Sequence, residues 1–167
     1  MDKNETKSKF SINQVALYGI LMALVVLATM LVTIPTIATQ GYINLGDAIV
    51  LLSGMILGPT GGFVVGGVGS ALADIILGYA YYAPFTLVIK GIEGALGVFL
   101  FRKLLKEKNT LIPLVVGGIW MAIGYLLAEI FLYDFPAAIA SFPGNILQGV
   151  VGAILASLLY RNIKNKI

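Results

Sequence analysis

Long apolar stretches alternate with short junctions of glycine, proline and polar residues along the whole chain. The stretches predict helices over about 15–34, 45–57, 61–77, 84–101, 111–133 and 143–160. Gly58-Pro59 and Pro84 punctuate the pattern, and Pro113, Pro136 and Pro143 mark further ends or starts. At about 20 residues per bilayer crossing, a chain of 167 residues has room for about six spans and no soluble domain. The expected fold is therefore an all-α integral membrane protein, one domain over 1–167 with six transmembrane helices.

Composition agrees with that reading of the pattern. Apolar residues make up 59% of the chain and charged residues 11%, where a soluble domain carries about a quarter charged. The mean hydropathy is +0.96. With no Cys, neither a disulfide framework nor a thiolate metal site can form, and with no His the commonest general base and metal ligand is missing. No metal site is expected.

Charge placement then orients the chain. All of the eleven Lys and Arg except Lys90 fall in three clusters: Lys3, Lys7 and Lys9; Arg102, Lys103, Lys106 and Lys108; and Arg161, Lys164 and Lys166. Basic loops stay in the cytoplasm. Six spans put all three clusters on that side, so both termini are expected to be cytoplasmic. The outer connections, 35–44, 78–83 and 134–142, contain no Lys or Arg. The clusters serve as topology anchors, and no nucleic-acid partner is expected. A cleaved signal peptide is not expected, because the first helix is long and no small-residue cleavage site followed by a polar region is evident.

Ionisable and amide groups inside the apolar stretches are the candidate chemistry. Asn44 and Asp47 stand at the outer end of the second predicted helix, and Asp74 at the outer end of the third. Lys90 lies near mid-membrane on the fourth, with Glu93 three residues on and so on the same face. Glu129 is about one turn from the outer end of the fifth, and Asn145 and Gln148 open the sixth. A charge facing lipid at mid-depth costs at least ~2.5–3.5 kcal/mol, so such groups turn inward. Two readings fit: they line a pocket open to the outside, or they brace helices as buried pairs. Tyr79, Tyr81, Tyr82 and Phe85 gather at the same level, as do Tyr133, Phe135 and Phe142. They suit an interfacial belt and equally the walls of a site for a flat solute. The candidate binding residues are Asn44, Asp47, Asp74, Tyr79, Tyr82, Lys90, Glu93, Glu129, Asn145 and Gln148.

Small residues form a second pattern. Gly62, Gly66, Gly67 and Gly69 on the third helix, and Gly91, Gly94 and Gly97 on the fourth, allow close helix packing in lipid. The stretch "GPTGGFVVGGVGS" has no Gly-Lys-Ser/Thr ending, so it is no phosphate loop, and any ATP is hydrolysed by another chain. The first helix has almost no polar group at its centre. It presents Ala16, Gly19, Ile20 and Ala23 as a smooth face suited to docking on another membrane subunit.

The stretches "YINLGDAIVLLSGMILGPTGGFVVGGVGSALAD" and "YAPFTLVIKGIEG" resemble the substrate-binding (S) components of energy-coupling factor (ECF) transporters, the vitamin importers of bacteria. The likeness covers nearly the whole chain. It is to the branch that takes riboflavin-like, pyridoxine-like and hydroxymethylpyrimidine-like substrates. The resemblance implies a multi-pass protein of the bacterial plasma membrane that binds one vitamin from outside. Its partners would be a transmembrane coupling (T) subunit and two ATP-binding-cassette ATPases, which hold ATP and Mg, so this chain itself needs no cofactor. The family's docking motif on helix 1 is matched here by Gly19-xxx-Ala23, with Gly in place of the first Ala. The lid between helices 1 and 2 would be 35–44.

Asp47, Asp74, Glu93 and Glu129 face a single Lys90 in the helical interior. A phosphate or dicarboxylate solute would want several Arg or Lys. The balance favours a pyridoxine vitamer or the hydroxymethyl-aminopyrimidine precursor of thiamine, with riboflavin as the alternative. A stand-alone ion-coupled secondary transporter is the rival from another class. Without His, Cys or a nucleophile–base pair, an enzyme is not expected.

Overall fold

The computed structural model describes residues 11–104 and 108–165. Lys3, Lys7, Lys9, Lys106 and Lys166 of the basic clusters lie outside the described residues. Among the described residues, five helices are long and apolar enough to cross a membrane: α1 (Ile12–Leu31), α2 (Gly46–Leu77), α3 (Ala83–Lys103), α4 (Leu111–Leu132) and α5 (Phe135–Ile163). A ribbon of two short antiparallel strands, β1 (Thr33–Pro35) and β2 (Tyr42–Asn44), connects α1 to α2.

The helix starts follow capping chemistry. Ser11 Oγ accepts from the Gln14 N–H and Gln14 Oε1 accepts from the Ser11 N–H, a reciprocal cap that begins α1 earlier than its apolar run. The first helix also ends earlier than the expected residue 34, because the chain turns extended at Val32. The β-ribbon was not anticipated: strands of three residues are too short to show a period.

A second correction concerns the last helix, expected over 143–160 after a connection at 134–142. Asp134 accepts from the Ala137 N–H at 2.8 Å and Pro136 sits in the first turn, so α5 starts at Phe135 and runs through Pro143. Pro143 forgoes one helical hydrogen bond without ending the helix.

The expected pair 45–57 and 61–77 appears as α2, broken at one residue. Gly58 adopts φ 84° and ψ −179° immediately before Pro59, a conformation that excludes an ordinary side chain and is pushed out of the helical region by the proline ring. There α2 folds back on itself. A Cβ built on Gly62 would stand 2.8 Å from the Gly54 Cα, and one on Gly66 2.7 Å from Val50 Cγ1. In a straight helix, residues eight apart would be about 12 Å distant at ~1.5 Å rise per residue. The arms 46–57 and 59–77 therefore run antiparallel.

Glycine lets the bundle close. Gly54 and Gly62, one on each arm of α2, both press against the Gly94 carbonyl of α3, while Gly118 of α4 and Gly149 of α5 meet backbone to backbone. One half of the bundle is filled by Leu51, Met55, Val98, Phe101, Leu114 and Ala153. At that end Arg102 donates to the Met55 carbonyl beside the fold-back, and Arg161 donates to Thr110. The outer surface is apolar on every helix, with Leu27, Leu127 and Leu147 more than half exposed, whereas Asp47 and Glu93 are fully buried. This inversion of the soluble pattern suits lipid as the solvent.

Candidate functional site

Polar side chains from every helix and from the ribbon converge at the end of the bundle opposite Arg102 and Arg161. They line a cleft whose empty space, counted out into open solvent, is about 490 Å³. At its base Lys90 of α3 bonds the Asp47 carboxylate of α2, and Glu93 lies 3.4 Å from the same ammonium. Asp47 also accepts from Gln148 Nε2 of α5 at 3.1 Å, while Gln148 Oε1 accepts from the Asn44 N–H of β2 at 2.8 Å. Asn44 Oδ1 in turn accepts from the Gly46 N–H at the start of α2. One chain of bonds thus ties the ribbon to the buried ion cluster. Lys90 also stands 5.6 Å from the centre of the Tyr125 ring, within cation–π range.

The walls carry two further acids. Tyr42 of β2 donates to Asp74 Oδ1 at 2.5 Å, and its ring packs on Tyr79 with centroids 4.8 Å apart. Burial, and then the Asp74 carboxylate beside it, hold the Tyr42 phenol far above its usual pKa, so it remains a donor. Glu129 of α4 accepts from Tyr82 at 3.3 Å and from Ser141 of α5. Thr86 of α3 and Tyr125 of α4 share a hydrogen bond of 2.9 Å.

The loop 36–41 roofs this space. Thr36 N–H closes it onto the Gly41 carbonyl at 2.9 Å, and Gln40 takes a positive φ of 48° at the bend. Tyr82 donates to the Thr39 carbonyl at 3.1 Å and Tyr81 to the Gln40 carbonyl at 3.3 Å. Two adjacent tyrosines at the start of α3 therefore strap the loop down. Burial, then Glu129, raises the Tyr82 phenol well above its ordinary value and keeps that strap protonated.

Seven of the ten candidate residues line the cleft: Asn44, Asp74, Tyr82, Lys90, Glu129, Asn145 and Gln148. Three stand outside the lining. Asp47 and Glu93 are buried behind Lys90 as its ion partners, and Tyr79 backs the Tyr42 ring. The lining also includes Thr29, Thr36, Gly41, Tyr42, Ser70, Thr86 and Tyr125, which the residue-by-residue reading passed over. Thr29, beyond the apolar centre of the first helix, is buried near the end of α1 and adds that helix to the lining. A signal was present, because Ser70–Asp74, Thr86–Lys90 and Tyr125–Glu129 are each four apart and so share a helix face. Ala16, Gly19, Ile20 and Ala23 are all exposed on α1, and a Cβ on Gly19 would meet nothing within 4 Å.

The family described as ECF-type riboflavin transporter, S component, matches this chain over residues 9–165. The chain belongs to that family. It is a membrane-embedded transporter component and not an enzyme. This S component is 43% identical over 143 residues to an "Uncharacterized protein in gap 3'region" of Pyrococcus woesei, covering 86% of this chain and 96% of that one. It is 31% identical over 150 residues to the "Thiamine precursor transporter HmpT" of Lactococcus lactis subsp. cremoris (strain MG1363), covering 89% and 86%. A UPF0397 protein of L. lactis subsp. cremoris (strain SK11) is 31% identical over 171 residues, covering 92% and 86%. ECF S components work with a small-molecule vitamin and with T and ATPase modules.

Proposed function

We propose that this S component captures a small, non-phosphorylated ring vitamin from the outer face of the plasma membrane and presents it to an ECF coupling module. The arms of α2 count as two crossings in this reading. That gives six spans, with both termini on the cytoplasmic side beside Arg102 and Arg161. The loop 36–41 acts as the lid. The exposed face of α1 around Gly19 and Ala23 docks on the T subunit, and two separate ATPases bind ATP and Mg.

The observation that carries the substrate class is the state of Lys90. It is the only basic residue among those lining the cleft, and Asp47 and Glu93 already occupy it. A phosphate would find no uncommitted cation there and would meet Asp74 and Glu129 instead. A neutral or weakly basic ring with donors suits those carboxylates and the tyrosine walls. Of the rings expected from the sequence, the hydroxymethyl-aminopyrimidine precursor of thiamine has added support from the name of the L. lactis relative. Riboflavin is the second reading, favoured by the family description.

The deciding measurement is uptake into proteoliposomes. The S component alone should bind the vitamin without accumulating it, and accumulation should require the T subunit, both ATPases and ATP. Accumulation by the lone chain driven by an ion gradient would replace this reading with a secondary transporter.

A further inference from the structure

Among the described residues, four buried side-chain atoms have no hydrogen-bond partner: Asp74 Oδ2, both carboxylate oxygens of Glu93, and Asn145 Nδ2. Glu93 lies behind Lys90 and its charge is answered by the ammonium 3.4 Å away. The other two belong to the cleft wall, where Asp74 is 3% exposed and Asn145 7%. Most of their neighbours are engaged with one another: Lys90 with Asp47, Gln148 with Asp47 and Asn44, and Tyr82 with Thr39 and Glu129; Thr86 shares a bond with Tyr125 in which either hydroxyl can donate, and it stands beside Asp74.

An unmade hydrogen bond on a buried polar group costs about 1–3 kcal/mol. One acceptor and one donor left over in the same cleft are therefore where a solute would complete the structure. The Tyr42 hydroxyl already donates to Asp74 Oδ1, which leaves Oδ2 as the acceptor of the ionised group. Asn145, as its amide is oriented, turns an unpartnered N–H to the same wall.

We propose that Asp74 and Asn145 are the specificity-determining pair of the cleft, reading a planar nitrogen heterocycle that carries an amino donor and a ring-nitrogen acceptor. The amino group donates to Asp74 Oδ2, and the ring nitrogen accepts from Asn145 Nδ2. This assignment rests on the capture function proposed above and names the chemical edge that function selects. A carbonyl in place of the amino group inverts both halves: the ring nitrogen gains a proton, and the substituent becomes an acceptor facing a carboxylate.

The test is calorimetric titration of the full chain in phospholipid nanodiscs with three probes. They are 4-amino-5-hydroxymethyl-2-methylpyrimidine, its 4-oxo counterpart, and riboflavin. The amino ring should bind about 10- to 100-fold more tightly than the oxo ring, as expected for a hydrogen bond to a charged group. Asp74→Asn, whose carboxamide can face either ring, should bring the two within about threefold, and Asn145→Asp should weaken the amino ring by about tenfold or more. Thermal melts show whether each variant is folded, and the wild-type comparison decides the matter without them. Equal affinity of the wild type for both pyrimidines overturns the pair, as does an Asp74→Asn protein that keeps the full preference. Tight binding of riboflavin with neither pyrimidine bound overturns the edge and leaves the capture function standing. Absence of binding by all three, together with ion-driven uptake by the lone chain, overturns both.

Discussion

Lys90 shows how a single residue serves structure and site together. Its ammonium faces the cleft while its bonds run backward to Asp47 and Glu93, all three almost wholly buried. Removing one member of such a cluster leaves uncompensated charge, which typically costs about 3–5 kcal/mol. Lys90→Met should therefore lower thermal stability in detergent substantially, and adding Asp47→Asn should recover part of the loss. A Lys90→Met protein as stable as wild type would show that the cluster contributes little to folding. The sequence displayed this residue openly, because a lone Lys in an apolar helix has few alternatives to a buried role. It also displayed Asp74, Glu129 and Asn145. What it hid was which acids face the solute: Asp47 and Glu93 look identical to Asp74 on paper, and only the packing turns them behind Lys90. The hydroxyl residues of the wall were readable by spacing, since Ser70, Thr86 and Tyr125 each precede a buried charge by one helical turn.

At the level of elements, two features position the site: the fold-back of α2 and the strapped ribbon. The fold-back needs glycine where three backbones cross. A Cβ on Gly62 would lie 2.7 Å from the Gly94 carbonyl carbon and 2.8 Å from the Gly54 Cα, both immovable backbone atoms. Gly62→Val should push α3 away from α2, cost upwards of about 1–3 kcal/mol by overpacking, and abolish solute binding with it. Normal binding by that variant would mean that the arms are more loosely joined than the contacts indicate. The strap makes a kinetic prediction. Tyr82→Phe deletes the bonds to Thr39 and Glu129, worth about 1 kcal/mol net, and should speed solute release roughly fivefold in a stopped-flow chase. Unchanged release would separate the loop from gating. Element boundaries were legible where chemistry punctuates the chain, as at Gly58-Pro59. They misled at Pro143, where the same residue type lies inside α5 because Asp134 and Pro136 had already begun the helix at Phe135. The ribbon left no periodic trace at all.

Across the whole molecule the polar chemistry is divided by end. Among the described residues, Arg102, Arg161 and the apolar core occupy one end, and the cleft with its acids, its tyrosines and Lys90 the other. The third direction is lateral, and there α1 differs from its neighbours. Only Leu21, Val25 and Thr29 are buried on it; Ala16, Gly19, Ile20 and Ala23 face outward. The two classes of glycine make opposite predictions for a similar substitution. Gly62 sits where three backbones meet, whereas a Cβ on Gly19 would touch nothing within 4 Å. A bulky residue at Gly19 therefore leaves the bundle intact and changes only what can approach it from the membrane. Gly19→Leu should keep wild-type solute affinity and a melting curve within about 0.5 kcal/mol of wild type, as surface changes usually do. When co-expressed with T and ATPase subunits, it should fail to co-purify with them and lose uptake. Retained assembly would move the docking surface off this face of α1, and lost solute binding would mean that α1 serves the cleft through more than Thr29.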